Sequence, residues 1–243
     1  MDILDKEREA FIEGAKLNKK TLSLKNPDDY YVGMEKAFDD AFNQYARRKK
    51  VKYAENKREL MKDVAEKLYE YFTADITPFD VCFNECITAS KKILDNGLFG
   101  IAQKFVNMSF KYLYCYGDAK DYIHKFADCH LPLDKYTVKW IRSLKNKEIN
   151  RRLTQQNNAW ANIDEALYNG IQNFVSESLA AGIEYTVSYD PRRADGGKCR
   201  LPQNRLETEF IVWHQEKINE LRGIMKKITD DEMERLGLTW IGS

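Results

Sequence analysis

Gly97-Leu-Phe-Gly-Ile-Ala-Gln-Lys104-Phe-Val-Asn-Met-Ser-Phe-Lys111-Tyr-Leu-Tyr-Cys-Tyr-Gly117 is followed, after an interval of mixed charge, by Cys129-His-Leu-Pro-Leu-Asp134-Lys-Tyr-Thr-Val-Lys-Trp140. A glycine-bracketed turn feeds an amphipathic helix, and a proline-containing segment opens the next helix. Lys104 and Lys111 are seven residues apart, so both ammonium groups leave one side of a 3.6-residue helix. The neighbouring face carries Ile101, Phe105, Met108, Tyr112 and Cys115 at spacings of three and four and is the expected core side. Lys104 is placed in the first turn, beside buried surface and near the positive end of the helix dipole, and both effects favour a neutral, nucleophilic amine. The competing reading is that both lysines lay their stems over the core and keep their charges in water. Asp134 follows Pro132 in a short extended segment and precedes a helical pattern, so it is an N-cap by position. A carboxylate at that helix start can also be aimed back at Lys104.

These residues resemble the helix-hairpin-helix DNA glycosylases, and within them the archaeal-type 8-oxoguanine DNA glycosylases. Gly100-Ile-Ala-Gln-Lys104 looks like the hairpin lysine, and Leu131-Pro-Leu-Asp134 like the Val-Pro-Val-Asp aspartate. A second lysine seven residues on (Lys111), a comparable lysine-to-aspartate interval, and an acidic residue four before a tryptophan (Glu209 and Trp213) are similar too. The sequence departs from the family in two places: Gly97-Leu-Phe-Gly100 is one residue wider than the usual hairpin, and Glu209 stands where aspartate is expected. The resemblance covers residues 78 to 145 and the helix holding Glu209; it says nothing of the N-terminal quarter.

What the resemblance implies is a two-lobed helical fold with the active-site cleft between lobes, residues 78–152 forming the hairpin lobe and 1–77 with 153–243 the second, within one domain spanning 1–243. It also implies a DNA N-glycosylase that flips out a damaged or modified base, 8-oxoguanine-like or hypermodified, with Schiff-base AP-lyase chemistry as an option. Lys104 would be the nucleophile and Asp134 its carboxylate partner, while Lys111, Glu209 and Trp213 would bind the base. Gly97, Gly100, Lys135, Lys139 and Arg142 would hold the DNA backbone. The partner is double-stranded DNA carrying a modified or damaged base, the protein acts as a monomer, and genome repair and defence against phage both fit. Two other classes stay open, a non-catalytic helical nucleic-acid-binding module and a helical interaction protein.

Composition bounds the rest. The 243 residues contain 43% hydrophobic side chains, enough for a substantial core, and only 12 glycines and 5 prolines. Long stretches of helical periodicity between them predict an all-α chain. Helices are expected over about 28–46, 53–72, 78–97, 163–180 and 205–228, with a short one after Asp230. Gly182 to Tyr189 alternates like a strand, and Asp190 to Arg200 reads as a cationic loop able to order on DNA.

Formal net charge is +1, so any nucleic-acid surface has to be local. Lys135, Lys139, Arg142, Lys145, Lys147, Arg151 and Arg152, opposed only by Glu148, form the strongest such patch, and Arg47-Arg-Lys-Lys50 with Lys52 forms a second. Both also read as solvated helix surface. Five cysteines at irregular spacing argue against a disulfide framework, and three histidines without a Cys-x-x-Cys pair argue against zinc; neither a metal nor a cofactor is expected. A charged start without an apolar core segment, and no stretch approaching a membrane span, predict a reduced, cytoplasmic protein.

Overall fold

The computed structural model describes residues 2–18, 21–50, 52–74, 76–94, 97–157, 159–188 and 196–225. The expected loop at 190–195 and the short helix after Asp230 lie outside them. The chain is mostly helical, in the order α1 (Ile3–Gly14), α2 (Pro27–Phe38), a π-helical turn (Asp39–Asn43), α3 (Gln44–Lys49), α4 (Lys57–Thr73), α5 (Phe79–Ser90), α6 (Phe99–Tyr114), α7 (Ile123–Phe126), α8 (Lys135–Ser143), α9 (Lys147–Gln155), α10 (Glu165–Ala180), a two-stranded antiparallel hairpin of β1 (Glu184–Val187) and β2 (Gly197–Arg200), and α11 (Arg205–Met225). Among the described residues no helix is long and apolar enough to cross a membrane.

Helix α6 is the axis of this arrangement. Every residue from Gly100 to Tyr114 is buried, including both lysines. The expected division into a core face and a lysine-bearing face is therefore too simple: α2 and α5 pack against α6, and so do α10 and the 160–162 turn. A helix covered on all sides must bury its polar residues with partners. Ser109 Oγ accordingly donates to the Phe105 carbonyl, and Asn107 Nδ2 donates to Gln103 Oε1 and to Tyr168 Oη. Helix α2 packs on α4 and α6, and α4 packs on α5, so elements before and after residue 77 are in direct contact.

Local sequence explains most element ends. Asn26 caps α2 with Pro27 in its first turn, Asp164 caps α10 and Asn146 caps α9. Where one cationic helix was suggested after Asp134, α8 and α9 are separated by Leu144 to Asn146, with Lys145 in the left-handed region at φ 60°. The tail of the expected cationic loop pairs as β2 with β1. At Gly196 an added Cβ would lie 2.6 Å from the Val187 carbonyl oxygen, so the chain can pass there only without a side chain.

Gly97 and Gly100 play different parts in the turn before α6. Gly97 takes φ 52°, a conformation that favours glycine, and its N–H donates to the Leu94 carbonyl. Gly100 lies inside α6 against the 160–162 turn, where a Cβ would meet the Trp160 and Ala161 carbonyl oxygens at 2.4 and 2.6 Å. The side of Gly100 where a Cβ would stand is thus occupied by protein backbone, which gives this glycine a packing role.

Because those neighbours are backbone atoms, Gly100→Ala should lower the free energy of unfolding by about 1–3 kcal/mol. Gly170→Ala in α10, with nothing within 4 Å of the new methyl, should raise it by up to about 1 kcal/mol. Denaturant midpoints of the two variants check both signs.

Candidate active site

The position of Asp134 is set by side-chain amides. Among the described residues the segment Leu131-Pro-Leu133 has no strand paired with it, and all three residues are buried. Gln103 on α6 takes the place of a strand: its Nε2 donates to the Leu133 carbonyl at 3.0 Å and its Oε1 accepts the Leu133 N–H at 3.3 Å. Gln172 on α10 does the same two residues earlier, donating to the Leu131 carbonyl at 2.8 Å and accepting its N–H at 3.0 Å. Leaving those groups unpaired would cost about 1–3 kcal/mol each. The clamp continues through Asn107 and Tyr168 to His130, whose Nδ1 lies 2.9 Å from Tyr168 Oη. Burial, with Arg205 nearby, holds the His130 imidazolium pKa down at about 3, so the ring is neutral and accepts the tyrosine proton.

From the end of this segment Asp134 opens α8 as the expected N-cap. Its Oδ1 accepts the Tyr136 and Thr137 N–H groups at 2.8 and 3.1 Å, and Thr137 Oγ1 accepts the Asp134 N–H at 2.8 Å, completing a capping box. Oδ2 accepts a hydrogen bond from Trp213 Nε1 at 3.1 Å. Capping and orientation by Trp213 together fix the carboxylate, which is 8% exposed.

Lys104 reaches the same place from α6. The helix begins at Phe99 after Leu98, so Lys104 is in its second turn, and the helix-dipole part of the expectation falls away because that field acts on the first turn. Burial remains: Lys104 is 6% exposed, with its ammonium 4.7 Å from the centre of the Trp160 ring. Among the described residues no carboxylate oxygen lies within 4.0 Å of Nζ. A desolvated cation over an indole gains about 2 kcal/mol, less than a close counter-ion supplies in the same medium.

Lys104, Asp134, Lys111, Trp160 and Trp213 line one cavity of about 700 Å³, within the range of roughly 300–1,000 Å³ found for small-molecule sites. Lys104 and Asp134 thus meet across a space and not in an ion pair. Lys111, 1% exposed, is in direct ionic contact with Glu209 and is enclosed by the rings of Phe11, Phe210 and Trp213 at 4.0, 4.6 and 5.3 Å. Glu209 is completely buried behind it and does not line the cavity, so it positions Lys111 where the sequence suggested that it touches a base. Burial raises the Glu209 pKa to about 7, against the opposing pull of Lys111 and with a further upward push from Asp134.

The basic segment after Asp134 is largely compensated inside the protein. Lys135 pairs with Glu220, Lys139 with Glu216 at 2.8 Å, Arg151 with Glu148 at 2.7 Å and Arg152 with Asp164 at 3.2 Å. Lys135 still lines the cavity; Lys139 and Arg142 do not. Three contributors were missed by sequence reasoning. Phe11 comes from α1, tied to α11 by the Glu7–His214 pair; Trp160 comes from a 3-10 turn; and Gln103 is a buried amide next to Lys104 in the chain. Only Gln103, at the centre of the motif, carried a signal.

The raised pKa of Glu209 has a defined consequence. Between about pH 4.5 and 7 the folded protein keeps a proton that the unfolded chain has released, so this contribution to stability is present at low pH and is lost as pH rises through 7. Unfolding free energies measured for wild type and Glu209→Gln across this window should diverge, with wild type losing ground to the variant as pH increases. A wild type that gains on the variant would mean that the carboxylate is stabilised as an anion.

Comparison with protein-family models, with curated proteins and with solved structures finds no match, which leaves the geometry of the site as the basis for its function.

Proposed function

We propose that the protein is a DNA glycosylase that binds an extrahelical damaged or modified nucleotide in the cavity and uses Lys104 as the nucleophile. The observation that carries this reading is that a buried lysine, without a carboxylate contact among the described residues, and a fixed aspartate line the same cavity together with two tryptophans. Such a pair suits substitution at an anomeric carbon. The amine supplies an electron pair, and the carboxylate supplies negative charge beside the sugar as the bond to the base breaks. The motifs Gly100-Ile-Ala-Gln-Lys104 and Leu131-Pro-Leu-Asp134, similar to those of the helix-hairpin-helix glycosylases, support the same assignment, with α5 and α6 as the hairpin helices and the cavity as the cleft between lobes.

In this mechanism the neutral amine of Lys104 attacks C1′. The base departs with the electrons of the glycosidic bond and is protonated, and the ammonium formed on Lys104 loses a proton. Opening of the sugar ring, with protonation of O4′, leaves an iminium between Nζ and C1′. Removal of a C2′ proton then expels the 3′ phosphate, and water hydrolyses the iminium to free the lysine. Asp134 is held for its part by Trp213 and the capping box, while Trp213 and Trp160 offer ring faces to the base. Lys111, held by Glu209, presents a donor in the cavity wall.

Base release and strand scission on duplexes containing 8-oxoguanine or an enlarged modified pyrimidine test the proposal. Lys104→Gln should reduce both by at least about a thousandfold, and Asp134→Asn by about a hundredfold or more while the capping bonds persist. Full base release by Lys104→Gln would remove the lysine from the mechanism.

A further inference from the structure

The cations in the chain's strongest basic segment are mostly paired, whereas the described lysines of the second basic run are not. Lys49, Lys50 and Lys52 are exposed, and none of them is in an ion pair among the described residues. The position of this run is set by the π-helical turn at Asp39–Asn43, which joins α2 to α3. Phe42 in that turn and Ala46 beyond it are buried, while Tyr45 and Lys49, four residues apart on one face, line the cavity. Asp40 lines it as well and accepts the Tyr112 hydroxyl proton at 2.7 Å, tying the turn to α6.

The end of α3 is held in an uncommon conformation. Lys50 takes φ 54°, a left-handed cap that glycine would occupy more easily, and it ends α3 directly after Lys49. On another part of the cavity wall Lys217 of α11 lies 5.0 Å from the centre of the Trp213 ring, also without an ion pair among the described residues. Besides Lys104, the cavity-lining lysines without an ion pair among the described residues are Lys49 of α3 and Lys217, whereas the α8 lysines are engaged with Glu216 and Glu220.

We propose that Lys49, Lys50 and Lys52 form a phosphate-binding lip that grips the DNA strand supplying the nucleotide to the cavity. The inference rests on reading the cavity as a nucleotide site and adds the surface by which the duplex reaches it. Phosphate contacts of this kind release counterions, so each contributes about 0.9 to the salt slope of binding to duplex DNA.

The test uses the full-length protein and a duplex containing a tetrahydrofuran abasic analogue, with affinity followed by anisotropy between about 50 and 200 mM salt. Wild type is compared with the triple variant Lys49→Gln, Lys50→Gln, Lys52→Gln, and with Lys145→Gln, Lys147→Gln, which removes two exposed lysines from the separate surface of α9. Thermal melts confirm that each variant is folded. The triple variant should lose about 2 to 3 from the slope and bind at least tenfold more weakly at the lower salt, with a smaller change in the α9 variant. An unchanged slope in the triple variant, or an equal or larger loss in the α9 variant, overturns the proposal whatever the catalytic assays show. An RNA duplex bound as tightly as the DNA would overturn the assignment to DNA. If the triple variant loses the slope but wild type releases no base, the lip stands and the catalytic reading of the cavity falls.

Discussion

The site depends on two buried glutamines that do the work of a missing strand. Leu131-Pro-Leu133 must be extended to carry Asp134 from the end of α7 to the start of α8, and an extended segment among helices has no backbone partner of its own. Gln103 and Gln172 supply one donor and one acceptor each, at alternate residues, as a neighbouring strand would. Gln103 is adjacent to Lys104 in the chain, so the side chain that anchors the aspartate segment is rigidly coupled to the helix turn presenting the lysine. Any displacement of that segment breaks buried hydrogen bonds before it moves the carboxylate, which is a physical basis for preorganisation.

Around that clamp the protein places its charges in graded surroundings. Lys111 has a buried counter-ion and three aromatic rings around it, while Lys104 has one indole face and a cavity. Two lysines one heptad apart on the same helix thereby have different surroundings: the first is without a carboxylate contact among the described residues and the second is held against Glu209. Glu209 is the weak point of the second arrangement, since burial pushes its pKa up against the pull of Lys111.

The heptad of lysines, the cap at Asp134 and the all-helical character were legible because they depend on spacing along one element. Lys104, Lys111, Asp134 and Trp213 do come together at one cavity. Long-range contacts were not legible. The basic stretch after Asp134 reads as free charge until α11 folds back and brings Glu216 and Glu220 against Lys139 and Lys135. Phe11 belongs to a terminal helix with no motif, and its role exists only through the docking of α1 on α11. Periodicity along α6 suggested a polar face because lysine normally marks one, but a helix enclosed by neighbours buries its lysines when a counter-ion or ring is provided. The break at Lys145 was concealed by good helix formers on both sides.

The central claim is that the amine of Lys104 attacks C1′ of a nucleotide held opposite Asp134. Borohydride reduction of the protein on a duplex containing a natural abasic site, followed by peptide mapping of the adduct, tests it most directly. A single adduct on Lys104, absent in Lys104→Gln, is the predicted result. An adduct carried by another amine, or no adduct on DNA that the protein demonstrably binds, would contradict it.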